Sequence, residues 1–128
     1  MGPLLIEHSY FYDSTGSHGD TVQVYGWGGT GSAATYRYNS LECGATTSCL
    51  ITTETVGGVI TFDRNWVYPN NSPIVFRCGW DSGDVGPPAI YITDNLFNPA
   101  GARTLTDSSD CVFTGNRWMD TLGLIPGN

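Results

Sequence analysis

Lysine is missing from this chain: its five cations are all arginines (Arg37, Arg64, Arg77, Arg103 and Arg117), set against nine aspartates and three glutamates. β-Proteins often place lysine on exposed strand edges to keep them from pairing with neighbours, so edges without it are open to partners. Charge of either sign is scarce, at 13% of residues, and its balance is −7 with a pI near 4.3. Such a surface repels phosphates, and no arginine cluster with interleaved aromatics offers a local exception; nucleic acid and anionic membranes are therefore not expected as partners. No apolar run approaches the roughly 20 residues that cross a bilayer as a helix, so membrane insertion is not expected either. The opening residues, Met1 to His8, carry no basic region and only Leu4-Leu5-Ile6 as an apolar stretch, which does not read as a signal peptide.

Helical periodicity is absent as well. Nowhere do apolar residues recur at intervals of three and four over a dozen positions, and no substantial helix is expected. What is present is strand grammar: about nine short alternating, β-branched or aromatic stretches set between turn residues, in a chain with 17 glycines and seven prolines. Leu4 to Tyr12, Thr21 to Trp27, Ala33 to Asn39, Leu50 to Val56, Val59 to Asp63, Ile74 to Trp80 and Ala89 to Thr93 lead the set. Gly57-Gly58 between two of these stretches suits a primed hairpin turn. No self-similarity at 20 to 50 residues is evident. With no helix between strands to make a parallel crossover, the expected fold is one all-β domain over residues 1–128, an antiparallel β-sandwich of jelly-roll or Ig-like type, with a barrel as the alternative.

Four cysteines remain to be placed. Cys43 and Cys49 enclose Gly-Ala-Thr-Thr-Ser, short and flexible enough for a tight loop, which leaves Cys78 for Cys111; reduced, buried thiols are the other reading. Zinc is not expected, because there is no Cys-x-x-Cys pair and only His8 and His18 to complete a site. Aspartates flank turns in pairs (Asp13 and Asp20, Asp81 and Asp84, Asp107 and Asp110), but none follows the calcium-loop order, and Asx-turn chemistry accounts for them. No Gly-x-Ser-x-Gly elbow occurs, His18 and Asp20 fall in one turn, and Glu7, Glu42 and Glu54 form no local carboxylate pair. Neither an enzyme nor a cofactor is expected.

Aromatic side chains are the stronger functional candidates, with four tryptophans, seven tyrosines and five phenylalanines. Tyr25, Trp27, Tyr36 and Tyr38 fall on neighbouring predicted strands, with Gln23 and Asn39 nearby. Rings beside amides and carboxylates stack on and orient sugars; the same residue types are enriched at subunit interfaces and in cores. Two fragments, Trp27-Gly28-Gly29-Thr30-Gly31 and Arg117 to Ile125, resemble jacalin-type lectins, the second resembling that family's closing strand with its sugar-binding aspartate. The resemblance covers about a tenth of the chain. It implies Asp120 as a ligand residue, although Asn116 stands where the family has a glycine. Asn70-Asn71-Ser72 is a glycosylation sequon followed by Pro73.

Two functions follow as expectations. The first is a non-enzymatic assembly protein: a subunit of a virion or phage particle (capsid decoration, tail or fibre) or of an extracellular filament, bound to copies of itself or to other particle proteins. The second is a secreted carbohydrate-binding module of lectin or adhesin type. In both, the chain works outside the cell or on a virion surface, and Tyr25, Trp27, Tyr36, Tyr38 and Asp120 are the contact candidates.

Overall fold

A computed structural model describes residues 3–12, 20–25, 28–44, 48–53, 56–70, 72, 74–80, 89–100, 104–106 and 111–127. The chain climbs as a parallel β-solenoid. Its first coil runs through β1 (Leu4–Glu7), β2 (Tyr10–Phe11) and β3 (Val22–Tyr25), and its second through β4 (Gly28–Arg37), β5 (Ser40–Glu42) and β6 (Leu50–Thr53). The third holds β7 (Val56–Asp63), β8 (Trp66–Tyr68) and β9 (Ile74–Trp80), and the fourth β10 (Ala89–Thr93), β11 (Leu96–Phe97) and β12 (Thr104–Thr106). β13 (Cys111–Thr114) and β14 (Arg117–Trp118) begin a fifth. Each strand pairs with its counterpart one coil away, which gives sheet A (β1, β4, β7, β10, β13), sheet B (β2, β5, β8, β11, β14) and sheet C (β3, β6, β9, β12).

Every pair of strands among the described residues is parallel. This overturns the antiparallel sandwich, jelly-roll or Ig-like, and the barrel with it. Hairpins join consecutive strands in one sheet, whereas here consecutive strands belong to different sheets. Gly57-Gly58 illustrates the difference: both lie inside β7, which pairs with β4 and β10, not with β6. The expected absence of a repeat is corrected too. Equivalent corner residues are separated by 30, 26, 30 and 21 positions, because the connections between strands differ in length, and the unequal spacing hides the repeat.

The interior is built of columns, one residue per coil. Sheet A contributes Ile6, Tyr36, Phe62, Ile92 and Phe113 in register, sheet B contributes Phe11, Leu41, Val67, Phe97 and Trp118, and sheet C contributes Val22, Leu50 and Phe76. Strand alternation explains the choice, since Val22 and Val24 are buried while Gln23 between them is exposed. Disulfides Cys43–Cys49 and Cys78–Cys111 are both buried, the second tying β9 to β13. Past β14 the chain folds back: Leu122 N–H donates to Trp118 O (2.9 Å), Ile125 N–H to Asn116 O (2.9 Å), and the buried Ile125 side chain closes this end of the core.

The bend between sheets A and B is the most regular part of the molecule. His8, Tyr38, Arg64, Asp94 and Gly115 take φ of 52°, 55°, 53°, 54° and 69°, a left-handed conformation disfavoured for all but glycine and a few polar residues. The residue that follows each, Ser9, Asn39, Asn65, Asn95 or Asn116, begins the turn into sheet B, and the four asparagines are buried. Their amides form one continuous ladder. Asn65 Oδ1 accepts from Asn39 N–H (2.9 Å) and Nδ2 (3.1 Å), Asn95 Oδ1 from Asn65 N–H (2.8 Å) and Nδ2 (3.0 Å), and Asn116 Oδ1 from Asn95 N–H (2.9 Å) and Nδ2 (3.0 Å). The same Nδ2 groups also donate to Ile6 O, Tyr36 O and Phe62 O, and Asn116 Nδ2 to Ile92 O, all at 2.8 to 3.1 Å. The ladder satisfies the backbone groups that the bend removes from the sheets.

Gly115 differs from the other corner residues in lacking a side chain, and Asp94 fills the space: a Cβ on Gly115 would lie 2.2 Å from Asp94 Oδ1. Gly115→Ala is expected to lower stability by about 1 to 2 kcal/mol in urea unfolding. Adding Asp94→Ala should recover part of that loss; no recovery in the double variant would place the whole penalty in the backbone.

Candidate functional site

Outward-facing residues follow the same column logic, and on sheet B they form an aromatic platform. Tyr10, Ser40, Trp66, Leu96 and Arg117 are in register across the five coils, and Glu42 is in register with Tyr68 one position pair further along the strands. Tyr12 extends β2 on the same side. Tyr10, Tyr12 and Trp66 are 59%, 65% and 43% exposed, large values for rings on a strand face. Coils stack about 4.8 Å apart, so Tyr10 and Trp66, two coils apart, stand about 10 Å from each other along the solenoid.

One end of the platform is ordered by polar contacts. The Tyr10 and Tyr12 rings stack at 5.1 Å with 17° between their planes. Tyr10 OH donates to Glu42 Oε2 at 2.5 Å, and Asn70 Nδ2 donates to Glu42 Oε1 at 3.0 Å. The hydrogen bond to Glu42 raises the Tyr10 phenol above its ordinary value of 10.0; slight desolvation, the Glu42 charge, and the neighbouring Tyr68 and Tyr12 add to it. A raised phenol favours the neutral form in the folded chain, so this contact stabilises below pH 10 and is lost as pH rises through the shifted value. Absorbance titration at alkaline pH is expected to show Tyr10 and the buried Tyr36 ionising late, and Glu42→Gln should lower the Tyr10 step while leaving that of Tyr36 in place. A titration indifferent to that substitution would remove Glu42 as the cause.

The structure separates the aromatics grouped by sequence. Tyr36 is 7% exposed, stacks on Phe62 at 4.6 Å, and its phenol is raised by burial; it belongs to the core. Tyr38 lies at the bend between sheets A and B, where its OH accepts from Arg64 Nη1 (2.8 Å), its ring stacks on His8 (5.6 Å), and the Arg37 and Arg64 guanidiniums each stand 5.8 Å away. Arg37 also pairs with Glu7, and Arg64 with Asp63 at 3.5 Å, so this corner is a surface charge network. Tyr25 is on β3 in sheet C with its side chain outside the description, and Trp27 lies outside the described residues altogether. Asp120 sits exposed in the C-terminal turn with its Oδ1 accepting from Thr121 N–H (2.8 Å). Asn39, read as a polar neighbour of the rings, is a buried member of the ladder.

Asp20 Oδ1 accepts from the N–H (3.2 Å) and Oγ (2.8 Å) of Ser48, a structural use that anchors the disulfide loop to the first coil. His18, Glu54 and the remaining turn aspartates Asp13, Asp81, Asp84, Asp107 and Asp110 lie outside the described residues. Among the described residues no three His, Cys, Asp or Glu side chains come together as a metal site would require, and no helix is long and apolar enough to cross a membrane. Two disulfides fit an oxidising, extracellular setting.

Tyr10, Tyr12, Glu42, Trp66 and Tyr68 were not among the sequence candidates, yet the chain does carry a signal for them. After each corner comes the same triplet of outward, inward and outward residue: Tyr10-Phe11-Tyr12, Ser40-Leu41-Glu42, Trp66-Val67-Tyr68, Leu96-Phe97-Asn98. Aligning the triplets on the preceding Ser or Asn brings the rings into two adjacent columns. Comparisons with protein-family models, with curated proteins and with solved structures find no match.

Proposed function

We propose that this chain is an extracellular, non-enzymatic carbohydrate-binding solenoid that lays a glycan chain along the outer face of sheet B. The observation that carries this reading is the platform itself: exposed Tyr10 and Trp66 in one column and exposed Tyr12 in the next, with the Glu42 carboxylate held by Tyr10 and Asn70. Planar rings offer apolar faces to the C–H side of a pyranose, while carboxylate, amide and phenol groups exchange hydrogen bonds with its hydroxyls. A flat face suits an extended polymer better than a small ligand, which prefers a concave pocket.

The test is calorimetry against a panel of neutral and acidic oligosaccharides. Binding is expected, and Trp66→Ala should weaken it by about ten-fold, or ~1.4 kcal/mol, with little change in melting temperature because Trp66 is already half exposed. Absence of binding across the panel would end this reading.

A second reading, assembly into a virion, phage particle or extracellular filament, is favoured by the first coil. Leu4 belongs to an inward column with Ala34, Ile60 and Ile90, yet it is 38% exposed, and β1 pairs with described residues along one edge only. Such an edge, free of lysine, is a template for another strand. Sedimentation at rising concentration is expected to show association; a constant monomer mass would count this reading out.

A further inference from the structure

Resting on the glycan reading of sheet B, we propose that Tyr10, Tyr12 and Glu42 form a subsite for an uncharged pyranose ring and discriminate against uronic acids. Three observations converge. First, the Tyr10 and Tyr12 rings are stacked at 5.1 Å and both are exposed, which presents a stiff aromatic surface at the end of the platform. Second, Glu42 is held from two sides: each carboxylate oxygen accepts one hydrogen bond, Oε2 from Tyr10 OH and Oε1 from Asn70 Nδ2. A carboxylate has about four acceptor positions, so each oxygen retains one for a sugar hydroxyl.

Third, Glu42 has neutral hydrogen-bond partners. The two ion pairs among the described residues, Arg37 with Glu7 and Arg64 with Asp63, lie at the bend beyond sheet A and leave Glu42 out. Arg117, the arginine on the sheet B face, stands at the opposite end, in register with Leu96 and donating its Nη1 to Leu122 O at 2.8 Å. A uronate seated on the tyrosines therefore brings a second carboxylate against an uncompensated one, within a chain of net charge −7. Neutral hexoses carry a hydroxymethyl group at that carbon and donate to Glu42 instead. The selectivity thus combines attraction for hydroxyls with repulsion of the anionic analogue.

The experiment compares hexamers of β-1,4-linked glucose, mannose and galactose with hexamers of the three corresponding uronic acids by calorimetry at low ionic strength. The expected result is that at least one neutral hexamer binds about ten-fold or more tighter than its uronate, and that added salt narrows the gap. Glu42→Gln should bring the pair within about three-fold of each other by relieving uronate repulsion, whereas Tyr12→Ala should weaken both members alike. Melting curves of both variants check that they remain folded. Equal or tighter binding of the uronate, or a preference that survives Glu42→Gln, overturns the subsite while leaving the glycan reading in place. No binding of any of the six hexamers or of the wider panel overturns both.

Discussion

Asn65→Ala is expected to lower the unfolding free energy by about 4 kcal/mol, close to the whole stability of a marginal domain. Asn65 is buried in the middle of the ladder, so water cannot replace what its amide provides. Truncation leaves Asn39 N–H without its acceptor at 2.9 Å and Tyr36 O without the Asn65 amide donor at 3.0 Å, and it removes one of the two bonds made by Asn39 Nδ2, which keeps Ile6 O, and by Asn95 Oδ1, which keeps Asn65 N–H. An orphaned buried group costs about 1 to 3 kcal/mol, and partial relaxation brings the sum to the value given. Asn98→Ala, on the half-buried outer side of sheet B, is the control and should change stability by less than about 1 kcal/mol. Urea unfolding with the disulfides intact measures both. A loss at Asn65 no larger than at Asn98 would mean that the columns of apolar side chains hold the corner without the amides.

The class of structure was legible in the sequence, and the direction of pairing was not. Alternation at Val22-Gln23-Val24 and at Thr61-Phe62-Asp63 marks strands with one buried face whichever way their neighbours run. Parallel and antiparallel stacking differ in what joins consecutive strands, and a bend residue such as Arg64 carries no turn signature of its own; its left-handed φ is sustained by Asn65 behind it. Tyr36 and Tyr38 show the consequence for the site. Two positions apart, they share a face in any continuous strand, but β4 ends at Arg37 and the bend at Tyr38 breaks the alternation, sending one ring to the core and the other to the corner. The sheet B platform escaped for the complementary reason: its rings stand two coils and 56 residues apart, Tyr10 from Trp66 and Tyr12 from Tyr68, and only alignment of the corners brings them together. The recurring pattern of apolar, polar, corner residue and Asn, at Phe62-Asp63-Arg64-Asn65 and Ile92-Thr93-Asp94-Asn95, was the signal that such an alignment needed.

Phe62→Ala is the second large effect, and it connects the interior to the binding face. Phe62 is fully buried, stacks on Tyr36 at 4.6 Å and meets the edge of Phe76 at 5.8 Å; Phe76 in turn meets Phe97 at 5.9 Å, and Phe97 meets Phe113 at 5.7 Å. Truncation opens a cavity in the middle of this chain of rings and is expected to remove about 4 kcal/mol, a fall in melting temperature of roughly 15 °C for a domain of this size. Phe62→Leu keeps most of the volume and should lose about 1.5 kcal/mol or less. Phe62 is the last inward residue of β7, three residues before Asn65 and four before Trp66, so slackening in β7 reaches the corner that aims Trp66 outward. Glycan affinity is accordingly expected to fall several-fold in Phe62→Ala at a temperature where the variant is still folded, and to stay near wild type in Phe62→Leu. Full affinity in folded Phe62→Ala would mean that the ladder alone positions the platform, and that the aromatic column serves stability without orienting the site.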